Sequence, residues 1–159
     1  MYILDASEQA ELIRGLVLIE TLDEGWSRIY RNPVTGEKWL QTFVSSGHGG
    51  ATILRNDPSP TTITEWLEMN FSSNRQDDVV GLALELSEKY ETWADVVEYL
   101  EANQARLDAD KIAIFLERMN VLNPSNRRSS LNKHYTEVEK DYQYFRDLSE
   151  RARRLLNTA

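Results

Sequence analysis

Apolar positions change period twice along this chain, and the changes divide it into three stretches. Asp5 with Glu8 three residues later has the arrangement of a capping box. Ala10, Ile13, Leu16 and Val17 follow at roughly helical spacing, which predicts a helix over 5–23. Gly15 and the β-branched Val17 and Ile19 are poor helix formers, so a strand over 16–22 is the alternative. From Trp26 the period shortens. Trp26, Arg28 and Tyr30 alternate with Ser27, Ile29 and Arg31, and Asn32-Pro33-Val34-Thr35-Gly36 supplies turn chemistry. Lys38–Val44 is rich in aromatic and β-branched residues, Ser45–Gly50 reads as a loop, and Ala51–Arg55 reads as a further strand. These three strands form an antiparallel meander, which needs helices on one face to be stable.

Beyond Asp57 the period is helical throughout. Thr62 with Glu65, Ser73 with Gln76, and Thr92 with Asp95 are spaced as N-terminal caps, and Asp108 caps a fourth helix. Trp66 and Trp93 lie on the apolar faces of these helices and are expected in the core, as are Val79, Leu82, Leu86, Val96, Leu100, Phe115 and Met119. A polar loop around Arg127-Arg128 precedes the longest helix, about 131–157. There Leu131, Tyr135, Val138, Tyr142, Phe145, Leu148, Ala152 and Leu155 recur at spacings of three and four. That stripe seats the helix on its own domain or forms a seam with a second copy, a homodimer through the last helix. The fold class expected is α+β, with a helix and small antiparallel sheet over 1–57 and a helical region over 58–159, forming one domain.

Composition narrows the function. The chain has 159 residues and no cysteine, which excludes disulfides, thiolate metal sites and cysteine nucleophiles and suits a reducing compartment. The first residues carry no basic region ahead of an apolar run. The most apolar stretch, 16–22, is too short to span a bilayer, so a cytoplasmic protein without membrane contact is expected. The net charge of −8 is uneven: residues 1–110 carry 20 acidic and 8 basic side chains, against 6 and 10 in residues 111–159. An acidic body repels nucleic acid and steers towards basic partners. The arginines of the last helix are interleaved with Glu137, Glu139, Asp141, Asp147 and Glu150, which argues further against a nucleic-acid role.

Catalytic constellations are missing. His48 and His134 stand in unrelated contexts, and the adjacent carboxylates Asp77-Asp78 point about 100° apart on a helix. Neither a metal site nor a cofactor is expected. The loop Ser45-Ser46-Gly47-His48-Gly49-Gly50 has the His-Gly-Gly run of some oxyanion holes. It lacks a Gly-x-Ser-x-Gly elbow, and it also lacks the lysine of a phosphate-binding loop. Glycines that shape a tight connection are the simpler reading. Trp26 and Trp39 suit either core or interface, since tryptophan dominates binding hot spots.

The block from Trp26 to Trp39, followed by Thr42-Phe43 and His48-Gly49-Gly50, resembles a bacterial toxin-immunity family, immunity protein twenty-seven. That family shows a tryptophan, an aromatic-Arg-Asp-Pro turn, a glycine, a second tryptophan and a His-Gly-Gly-Gly loop. Here Asn32 replaces the aspartate and Ala51 stands at the third glycine, and the likeness covers about a fifth of the chain. The resemblance implies a cytoplasmic, non-enzymatic antidote that binds and blocks a toxin protein. Trp26, Tyr30, Trp39, His48, Gly49 and Gly50 are the candidate contact residues. The alternative is a helical adaptor that binds another protein, or itself, through the last helix.

Overall fold

The computed structural model describes residues 1–46, 49–57, 61–123 and 125–157. The fold is α+β, and its sheet is larger than the expected meander. Strands β1 (Tyr2–Ile3), β2 (Val17–Leu22), β3 (Ser27–Arg31), β4 (Lys38–Ser46) and β5 (Gly49–Asp57) form one antiparallel sheet in the order β1-β5-β4-β3-β2. Helix α1 spans only Ala6–Arg14, so the helix expected over 5–23 is corrected. Asp5 caps it by accepting from the Ser7 and Glu8 amides. At its end the Gly15 amide donates back to Leu12 and Ile13, and the β-branched residues then pair with β3 as a strand. The pairing of β2 shifts register between Leu18 and Glu20, a β-bulge.

The 45–50 loop is corrected too. Pairing between β4 and β5 continues through Ser45↔Gly50 to Ser46↔Gly49, so Gly49 and Gly50 are strand residues. Residue 48, with the expected contact His48, lies outside the described residues.

The helices are α2 (Ile63–Phe71), α3 (Gln76–Leu86), α4 (Trp93–Asn103), α5 (Ala109–Met119) and α6 (Tyr135–Asn157). The Thr62–Glu65 capping box forms in both directions, and Asp108 caps α5. The other two expected caps do not form. The Ser73 hydroxyl donates to Asp78 at 2.5 Å, and the Thr92 hydroxyl donates back to the Lys89 carbonyl at 2.8 Å. Helix α6 begins at Tyr135 rather than 131, where the Glu137 side chain accepts from the His134 amide. Its stripe is turned inward: Phe145, Leu148, Ala152 and Leu155 are buried in the main core with Trp93, while Leu131, Tyr135 and Tyr142 remain exposed.

Alternating strand residues give the sheet two unlike faces. One, carrying Tyr2, Val44 and Ile53, is covered by the helical half and belongs to the same buried cluster as Leu67, Leu82 and Phe115. A buried ionic network lies at this junction. Arg55 donates from Nε to Glu85 Oε2 at 2.9 Å, and the same carboxylate accepts the Tyr2 hydroxyl at 2.9 Å and Lys89 at 3.3 Å. Burial, then the charge of Glu85, pushes the Tyr2 hydroxyl pKa well up, so it stays a donor. The opposite face carries Ile3, Tyr30, Trp39 and Leu54 beneath α1, whose Leu12 and Ile13 pack on them with Leu16. Because β1 and β2 sit at opposite edges, α1 must cross this face to join them. It is only 9 residues long, and the far part of the face stays open.

Candidate functional site

The open part of the outer face carries an aromatic shelf. The β2–β3 connection places Asp23, Glu24 and Gly25 at φ of 52°, 54° and 102°, with the Trp26 amide donating to the Asp23 carbonyl at 3.0 Å. Such left-handed turns match the twist of a hairpin, and glycine suits the position after Glu24. At non-glycine residues this backbone region costs on the order of 1 kcal/mol or more each, and it concentrates at functional sites. The turn delivers Trp26 onto Phe43 of β4, with ring centroids 5.1 Å apart and planes tilted by 48°. Trp26 is 62% exposed and Phe43 39%.

Gly50 completes the shelf from β5. A Cβ there would stand 1.9 Å from Phe43 Cζ, so the bare backbone lets the ring lie across the strand. Trp26, Phe43, Gly25, Arg28, Gln41 and Thr52 line a shallow pocket of about 220 Å³. The Gln41 side chain is held by its neighbours, accepting from the Tyr30 hydroxyl at 3.2 Å and donating to Gln9 at 3.3 Å. Gln9 is itself buried and donates to the Ile3 and Thr52 carbonyls, which ties α1 to the pocket's edge.

Of the residues expected to contact a partner, Trp26 and Gly50 meet on this shelf. Tyr30 and Trp39 do not, and that expectation is corrected: both are buried beneath α1, because strand alternation sends them into the same layer as Leu54. Gly49 pairs with Ser46 at the start of β5. Sequence reasoning missed Phe43, Arg28, Gln41 and Thr52 as site residues. Their common face is fixed by register, Phe43 opposite Thr52 and Gln41 opposite Arg28, and periodicity within one strand does not carry that information.

No family model, curated protein or solved structure matches this chain. Among the described residues no helix is long and apolar enough to cross a membrane.

A second surface is electrostatic. Residues 58–110 carry twelve acidic and three basic side chains, so the excess negative charge of the first 110 residues lies mostly on α2–α4 rather than on the sheet. Glu88, Glu91 and Asp95 are exposed along the approach to α4 and its first turn. At the end of α4 the charge is matched. Arg151 of α6 holds Glu101 at 2.6 Å and keeps its carboxyl below the usual range.

Proposed function

We propose that this chain is a non-enzymatic binding protein, a cytoplasmic immunity protein that binds and neutralises a basic bacterial toxin. The observation that carries the reading is the exposed Trp26–Phe43 shelf over Gly50. It lies within the block that resembles the immunity family and has the makings of an interface anchor. An exposed tryptophan resting on a half-exposed phenylalanine adds little to folding and much to a contact that desolvates both. The acidic helices supply long-range attraction for a basic partner and disfavour nucleic acid. An interface of about 800 Å² on this side would suffice for stable binding.

The test is co-purification with the secreted product of the neighbouring gene. The complex is expected to form, and Trp26→Ala is expected to weaken it by about tenfold or more. Failure of the pair to associate overturns the reading.

The adaptor reading is favoured by one observation, the exposure of Leu131, Tyr135 and Tyr142 at the start of α6. It requires Tyr135→Ser to weaken partner binding while Trp26→Ala leaves it intact.

A further inference from the structure

We propose that the pocket beside the shelf holds a glutamate side chain of the protein partner, with Arg28 gripping the carboxylate and Trp26 and Phe43 covering its aliphatic stem. The inference rests on the shelf being the partner-binding surface and names what that surface recognises.

Arg28 is the single charged side chain among the six described residues that line the pocket. Arg28 is exposed, and its guanidinium forms no hydrogen bond or ion pair among the described residues, whereas those of Arg55, Arg106, Arg128 and Arg151 each hold a carboxylate of this chain. Gln41 is engaged by Tyr30 and Gln9, so the guanidinium is the free charged donor facing the cavity. A planar guanidinium binds a carboxylate through two parallel hydrogen bonds, and stronger so beside apolar walls. At about 220 Å³ the pocket is smaller than the roughly 300–1,000 Å³ usual for cofactor and drug-sized ligands, and it fits one side chain.

The backbone of the rim is committed to this shape. Asp23 and Glu24 adopt their left-handed conformations in the turn that delivers Trp26, yet neither lines the pocket. The chain's net charge of −8 repels a lone anion at long range, so the glutamate must arrive on a surface that is otherwise basic. An acidic residue within an otherwise basic partner is compatible with both the chain's net charge and the pocket.

Two capped dipeptides test this, acetyl-Leu-Glu-amide and acetyl-Leu-Gln-amide, which differ in charge and hardly in shape. The readout is the Trp26 indole N–H cross-peak, assigned with Trp26→Phe. The indole of Trp93, which donates to the Leu86 carbonyl at 2.9 Å, is the internal reference. The glutamate peptide is expected to move the Trp26 peak saturably, the glutamine peptide about fivefold more weakly. Arg28→Gln should erase the difference, and Arg28→Lys should leave part of it. Equal responses to the two peptides, a difference that survives Arg28→Gln, or no movement up to about 20 mM peptide would overturn the proposal. The two readings fail separately. A toxin that binds through Trp26 but ignores Arg28→Gln removes the glutamate pocket alone. Peptide discrimination without a binding toxin removes the immunity function alone.

Discussion

Two of the described glycines make room for an aromatic ring, and they do opposite work. Gly81 of α3 faces Tyr2, where a Cβ would lie 2.4 Å from the ring. Gly50 of β5 faces Phe43, where it would lie 1.9 Å away. Tyr2 is 1% exposed and tied by its hydroxyl to Glu85, so the first contact is a clasp between sheet and helices. Phe43 is free on its outer side and touches Trp26, so the second contact holds a surface in shape. Close approach to glycine therefore says that a ring is positioned. What surrounds the ring decides whether the result is a buried clasp or an exposed surface.

The largest expected break in that comparison is on the clasp side. Glu85→Ala leaves Arg55 and the Tyr2 hydroxyl buried without their shared partner and is expected to cost about 3–5 kcal/mol in denaturant unfolding. Gly81→Ala comes next. Overpacking against Tyr2 is expected to cost about 1–3 kcal/mol, with the gain in helix propensity of roughly 1 kcal/mol offsetting only part of a larger clash. A stabilised Gly81→Ala would show that the ring yields freely and that the clasp is loose.

On the shelf side the same change should scarcely register in stability. Gly50→Ala can be relieved by swinging Phe43 into solvent, so its unfolding free energy should fall by under about 1 kcal/mol. Under the proposed immunity function its affinity for the toxin should nevertheless drop about tenfold, because the shelf is dismantled. Equal losses of stability at Gly50 and Gly81 would erase the distinction drawn here.

The smallest effect is acid sensitivity, and it belongs to the helical side alone. Hydrogen bonds from Lys133 and Arg128 hold the Asp141 carboxyl below its ordinary range, as Arg151 does for Glu101. Depressed carboxyl values mean that this stabilisation is complete above the usual carboxylate range and is lost as pH falls below about 4. Melting temperature followed against pH should decline there, and less steeply in Asp141→Asn.

Local signals in the sequence read well where each residue's neighbours along the chain decide its state. The Thr62–Glu65 box, the Asp108 cap and the core placement of Trp66 and Trp93 all follow from spacing. Placement failed where distant pairing decides. Tyr30 and Trp39 are buried because α1 crosses above them, which depends on β1 and β2 ending at opposite edges of the sheet. Ser73 turns from capping to Asp78 because the Asp78 carboxylate also anchors the Tyr2 amide at 2.5 Å, a contact 76 residues apart. The shelf itself draws on three strands, and only Trp26 and Gly50 of it were legible as site residues.

The bulge in β2 bears on how this protein behaves in a crowded solution. Val17, Leu18 and Ile19 are about half exposed on a strand with no lysine or proline and an open outer edge. A straight edge of that composition is a template on which further copies stack into fibrils. The extra residue between Leu18 and Glu20 breaks the regular spacing of donors and acceptors along it. Removing Ile19 would restore the spacing, and with it a surface for ribbon growth.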